Sequence, residues 1–336
     1  MTSSATTKDG LQGARPDTEA TVGVNVPPGG GGPRRRRRRE EPEFRSYYDL
    51  PVLNDVVWSP IDIGGYLFLG GLAGASGAVA GAAALTGRPG LARAATYAAA
   101  GGAQVSLGLL IHDLGRPSRF LTMLRVVKLT SPMNVGAWLL GAFSATSTVA
   151  ALSRATGRAR PIGAIATAAT AVLGPAVATY TGVLISDTAV PAWHDGHELM
   201  PFVFASSAVS SAAGVGLLAA PAIESGPVRA LGAAGAVTEV ALGRLMQRRM
   251  GIVEEAYRTG RAKWLMHAAE GLTLAGAALA ATARSRPARL AAGASLVVGS
   301  ALTRFGIFAA GVQSVRDPKY TVVPQRERRD AASGSH

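Results

Sequence analysis

Cysteine is missing altogether from the 336 residues of this chain. Its absence excludes disulfides, thiolate-bound zinc and any iron–sulfur cluster held by the chain's own side chains. Charge is scarce as well: Asp, Glu, Lys and Arg make up 16% of residues, against about a quarter in ordinary soluble domains. Histidine occurs five times, as His112, His194, His197, His267 and His336. None falls in the middle of an apolar run, so the facing histidines that would hold haem b between membrane helices are lacking. No phosphate-binding loop, nucleophile elbow or dinucleotide-binding glycine pattern occurs either. His194 and His197 lie beside Asp195 and Glu198, but in a short solvent-side loop, and no metal is assigned to them.

What the chain has in abundance is apolar. Hydrophobic residues account for 48%, and most of the 42 glycines sit inside apolar stretches rather than polar repeats. Eight such stretches, residues 61–85, 92–110, 134–152, 162–185, 199–220, 228–246, 265–282 and 288–312, have about the 18–25 residues that cross roughly 30 Å of hydrocarbon. The expected fold is all-α, a polytopic bundle of eight transmembrane helices. In water each helical glycine costs about 1 kcal/mol relative to alanine. In lipid, small residues such as Gly70, Gly74, Gly77 and Gly81 instead let helix backbones approach.

The chain divides into a basic, disordered tail (1–55), the eight-helix domain (56–315) and a C-terminal tail (316–336). The first contains an unbroken run of six arginines, residues 34–39, whose role the sequence does not reveal. Glu40, Glu41, Pro42 and Glu43 follow the run, which argues against a twin-arginine signal. Eight spans put both termini and the loops 111–133, 186–198 and 247–264 on one face. That face carries 24 of the 34 Lys and Arg residues and the other nine. The positive-inside rule then places both termini in the cytoplasm of a cell-membrane protein. The net charge of +13 reads as a topology signal and a surface for lipid headgroups or an acidic partner, not for nucleic acid.

Polar strings punctuate the span ends on the termini side: His112-Asp113-Leu114-Gly115-Arg116-Pro117, Ser131-Pro132-Met133-Asn134-Val135-Gly136-Ala137-Trp138, Tyr180-Thr181-Gly182, Pro191-Ala192-Trp193, Arg304-Phe305-Gly306 and Gly311-Val312-Gln313, while the first span begins with Gly64-Gly65-Tyr66-Leu67-Phe68-Leu69-Gly70-Gly71. In this order on eight spans, the set resembles the NrfD/polysulfide-reductase family of integral membrane subunits, over roughly residues 55–320. The long basic tail and Asn134, where serine is common, depart from the family pattern. The resemblance implies a quinone-binding anchor without haem. It implies as partners an iron–sulfur ferredoxin-like subunit and a molybdopterin catalytic subunit, so that the chain passes electrons and protons between that partner and membrane menaquinone or ubiquinone.

The residues support such a site on their own. Quinone chemistry needs an apolar slot, donors for two carbonyls and a titratable path to water, and polar side chains within hydrocarbon are expensive enough to be presumed functional. Asp62, His112, Asp113, Asn134 and Tyr180 fall near span ends on one face and are the candidate quinone ligands, with Gln104, Asp187 and His267 at similar depth. Each has a plainer reading: Asp62 as a helix N-cap, Asp113 as a loop cap paired with Arg116 or Arg119, His112 and Tyr180 as interface residues, Asn134 as a helix-start bond. Trp58, Trp138, Trp193 and Trp264 read as interface anchors. Glu239, Glu270 and Arg304 form either a proton path or a buried ion pair that locks helices. Arg116, Arg119, Arg248 and Arg249 are the expected partner-docking residues. A secondary transporter or a non-catalytic membrane scaffold would also suit eight helices; no matched pair of interrupted spans marks a transporter, and convergence of Asp113, Asn134 and Tyr180 on one slot separates the quinone reading from the scaffold.

Overall fold

In the computed structural model the described residues are 52–333, preceded by residues 6–7 and 10–11, which pair as a two-residue antiparallel ladder. The arginine run at 34–39 lies outside them. Helix dominates: α1 (Pro60–Leu85), α2 (Pro89–Asp113), α3 (Ser118–Met123), α4 (Pro132–Thr156), α5 (Arg160–Ser186), α6 (Pro191–His194), α7 (Met200–Ala219), α8 (Gly226–Arg249), α9 (Glu255–Arg258), α10 (Gly260–Thr282), α11 (Arg286–Arg316) and α12 (Lys319–Ser333).

The long helices begin on local chemistry. Ser59, Ser131 and Ser285 are N-caps whose hydroxyls accept from the amides of Asp62, Asn134 and Ala288 at 3.3, 3.4 and 3.3 Å. Proline follows each within two residues, where its missing N–H and fixed φ suit a helix start. Gly157 ends α4 in the left-handed conformation, φ 66°.

Each of the eight apolar segments falls on one long helix. Six of them, α1, α2, α4, α5, α7 and α11, are long and apolar enough to cross a membrane. The remaining two, α8 and α10, fall short of that apolarity. Arg229, Glu239 and Arg244 lower it in α8, and His267 and Glu270 in α10.

The helices form two four-membered groups: α1, α2, α4 and α5 close one ring, and α7, α8, α10 and α11 the other. α1 and α7 are the main joint between them. The end that carries Ser59, Asp113 and Asp317 is called the near end, and the opposite one the far end. Small residues set the spacing. A Cβ on Gly74 would lie 2.5 Å from the Gly174 carbonyl oxygen, and Cβ atoms on Gly214 and Gly293 would each lie 2.7 Å from the other's carbonyl. These pairs bring α1 onto α5 and α7 onto α11 at backbone contact. The Ser207 and Ser300 hydroxyls meet at 2.8 Å across α7 and α11.

Candidate functional site

In the first ring, α1, α2, α4 and α5 enclose an apolar cavity of about 50 Å³ at the near end; Trp58, Leu67, Asp113, Met133, Tyr180 and Ile185 are among its walls. Asp113 and Tyr180 thus face the same space. The Asp113 carboxylate accepts the backbone N–H of Ser59 at 3.0 Å, which ties the end of α2 to the start of α1. Neither Arg116 nor Arg119 pairs with it; Arg119 donates to the Leu114 carbonyl at 3.3 Å.

Gly136 of α4 makes room for Tyr180, since a Cβ there would collide with the phenol. Across the cavity wall, the Tyr66 side chain is buried, with its hydroxyl beside that of Tyr180. Asp62 does not cap α1, because Ser59 does; its carboxylate pairs with His112 Nδ1 at 3.0 Å, with the imidazole largely exposed. Asn134 is turned into the preceding loop: Oδ1 accepts from Lys128 N–H at 2.7 Å and Nδ2 donates to the Met123 carbonyl at 2.8 Å. It holds the α3–α4 connection that carries Met123 and Met133 to the cavity. Gln104 bonds Thr148 Oγ1 at 2.9 Å, and Asp187 is exposed.

The second ring holds a more polar pocket of about 230 Å³, lined by Glu239, Arg244, Glu254, His267, Glu270 and Thr303 among others. At its floor Glu239 is buried; Oε1 accepts from the Thr303 hydroxyl at 2.7 Å, whereas Oε2 has no hydrogen-bond partner among the described residues. Glu270 pairs with Arg244 rather than with Arg304. Arg304, also fully buried, donates through Nη2 to the Phe204 carbonyl at 2.7 Å and lies 3.8 Å above the Phe204 ring. Among the described residues its Nε and Nη1 have no hydrogen-bond partner. Glu239 and Arg304 are therefore neighbours in one buried region without the direct salt bridge that an interlocking ion pair requires.

Trp193 is no interface anchor. It is completely buried, donates Nε1–H to the Ile307 carbonyl at 2.8 Å, and fills the space left by Gly311. Trp58 stacks on it at 5.7 Å, so the second ring reaches the wall of the first-ring cavity. Trp138 and Trp264 are exposed. Arg116, Arg119, Arg248 and Arg249 are exposed at the near end, and Arg249 faces Glu198 at 3.5 Å.

The sequence strings thus meet in space: Tyr180 on Gly136, Trp193 on Gly311, and Phe305 against Gly64. A family model described as "Polysulphide reductase, NrfD" matches residues 51–254, more than half of the chain. The chain belongs to the NrfD family. The match takes in the whole first ring, α7 and α8, and stops before α10 and α11. No curated protein matches the chain. With six helices long and apolar enough to span a bilayer, this NrfD-family chain is a multi-pass membrane protein. Among the described residues, no group of three or more His, Asp or Glu side chains is placed to hold a metal ion.

Sequence reasoning passed over Tyr66 and Thr303. Tyr66 sits in a glycine-rich apolar run and reads as one more packing residue. The signal for Thr303 was its position next to Arg304, a basic group deep inside the last apolar segment.

Proposed function

We propose that this chain is the quinone-reactive membrane subunit of a multisubunit oxidoreductase, with all eight long helices crossing the membrane and both termini in the cytoplasm. The observation that carries this reading is that Asp113 and Tyr180, a carboxylate and a phenol, line one apolar cavity that is otherwise walled by Trp58 and aliphatic side chains. Reduction of a quinone consumes two electrons and two protons, and oxidation of the quinol releases them. A phenol can donate a hydrogen bond to one carbonyl, and a carboxyl group beside it can exchange a proton with water. Asp62 and His112, paired at the mouth of the same ring, supply a titratable link to the near-end solvent, and Asn134 holds the loop that closes the cavity.

A volume of about 50 Å³ suits roughly one or two waters, so a quinone ring displaces lining side chains on binding. Met123 and Met133, unbranched and adaptable, are the groups to move. Without cysteine the chain carries no cluster of its own, so electrons come from a partner. An iron–sulfur subunit docked on Arg116, Arg119, Arg248 and Arg249, itself joined to a molybdopterin catalytic subunit, fits that need. Glu239, reached from the near end through the polar pocket, with Glu270 and Arg304 around it, is the group placed to take up a proton in the second ring.

The test is turnover with a soluble quinone by the complete purified complex. Tyr180→Phe and Asp113→Asn are expected to lower quinone turnover by about 10²–10⁴-fold, the usual cost of a lost proton donor or acceptor, while electron transfer to a dye at the catalytic subunit stays intact. Full quinone turnover in both variants would sink the reading. Glu239→Gln in vesicles is expected to abolish proton movement while quinone turnover persists.

A further inference from the structure

The far end of the first ring holds a recess that the quinone reading does not use. It lies between the ends of α1, α4 and α5, has a volume of about 800 Å³, and is walled by Gly81, Leu85, Ala164, Ala168 and Val172. Of these, Leu85, Ala164, Ala168 and Val172 are exposed, so the recess opens on the outer, lipid-facing wall of the bundle. Along α5 it runs from Arg160 to Val172, about 18 Å at 1.5 Å per residue, close to the roughly 15 Å of hydrocarbon in one leaflet.

Two arginines line its polar end: Arg154 in the last turn of α4 and Arg160 at the start of α5. The Nε of Arg154 is buried without a hydrogen-bond partner, and neither guanidinium has a carboxylate partner among the described residues. A buried donor left unmatched is costly, and among the described residues the site holds no acceptor for it. Water at the membrane edge satisfies a donor but leaves the apolar trough beneath it unfilled.

We propose that this recess binds an anionic phospholipid of the far-end leaflet. Its phosphate oxygens accept from Arg154 and Arg160, and one acyl chain lies in the trough over Ala164 and Ala168. Only a ligand that joins an anion to a long hydrocarbon matches both ends. Guanidinium groups favour phosphate because their planar donors meet two oxygens at once. Alanine and glycine along the trough leave the chain room that leucine would take. The inference needs only that the chain sits in a bilayer and does not depend on quinone chemistry.

The experiment uses the full chain in nanodiscs of equal phosphatidylglycerol and phosphatidylcholine, released into detergent, with retained lipids counted by native mass spectrometry. Wild type is expected to prefer phosphatidylglycerol by about fivefold for each arginine engaged. Arg154→Gln with Arg160→Gln should bring the two lipids to parity. Ala168→Phe, at an exposed position that leaves both charges in place, should lower retention of both lipids by filling the trough. Added inorganic phosphate should leave the ratio unchanged. Equal retention of the two lipids by wild type, or a wild-type ratio in the double variant, overturns the proposal. Unchanged retention in Ala168→Phe, or displacement by phosphate alone, overturns the placement of the acyl chain.

Discussion

At Gly136 the phenol of Tyr180 occupies the space in which any other residue would place its first side-chain carbon. Gly136→Ala therefore cannot be accommodated without moving the ring away from the cavity, and overpacking of this kind costs about 1–3 kcal/mol. The expected outcome is a lower melting temperature together with weaker quinone inhibition or turnover, read on the same preparation. Asp195, between α6 and α7, offers a second test at this scale. Burial raises its carboxyl above the ordinary aspartate range, against the lowering pull of His194, Arg328 and His197. A raised acid favours the folded state most when protonated. Its contribution is full below the unfolded value of about 4 and is lost as pH climbs through the folded one. The melting temperature of wild type should thus fall relative to that of Asp195→Asn as pH rises from about 4 toward neutrality. A constant difference between the two proteins would remove the assignment. Residue roles were only partly legible beforehand. Asp113 and Tyr180 carried visible polar chemistry to a span end. The bond from Asp113 to Ser59, and the turn of Asn134 into its loop, depend on how α1, α2 and the α3–α4 connection close on each other, which no single string encodes.

The long helices were legible because their starts and composition agree: a serine cap or proline, then an uninterrupted small and apolar run. The short ones, α3, α6 and α9, were not, because segments of four to six residues take their shape from tertiary contacts more than from propensity. α8 and α10 stand between these cases. Glu239, Arg244, His267 and Glu270 face the polar pocket of the second ring, and Arg229 donates to the Ala280 and Ala281 carbonyls of α10, so these groups are largely engaged between the helices. This supports the proposal that they span the membrane with the others. Because the chain has no cysteine, single introduced thiols test it directly. Ser118→Cys and Arg248→Cys should react with a membrane-impermeant maleimide from one side of sealed vesicles, and Ser285→Cys from the other. Labelling of residues 248 and 285 from the same side would show that α10 does not cross.

As a whole, the molecule is two rings with different chemistry at the same end: an apolar cavity with a phenol and a carboxylate in the first, and a polar pocket over a buried glutamate in the second. Trp58 stacked on Trp193 joins them near the face where Arg116, Arg119, Arg248 and Arg249 lie. The paired-ring plan was not legible from eight apolar stretches, since hydropathy reports length and exposure to lipid but not which helices touch. Glycine positions held that information in a form that only the structure decodes. Gly74 against Gly174 and Gly214 against Gly293 are each about 80–100 residues apart in sequence, a separation with no local signature.

The backbone contact between α1 and α5 also has a consequence in time. At a synthesis rate of about 5–20 residues per second, roughly 5–20 s pass between the emergence of Gly74 and that of Gly174. For that interval the first helix has lipid where its partner will be. α1 is thus a nascent segment that must wait, and its survival depends on staying recognisable to insertion factors while escaping membrane proteases. Gly74→Leu, which blocks the meeting without making the helix less apolar, should insert normally and then disappear in pulse-chase labelling. Stabilisation of the variant in cells lacking membrane quality-control proteases would place the loss at assembly, whereas a half-life equal to wild type would show that the contact forms without need of the glycine.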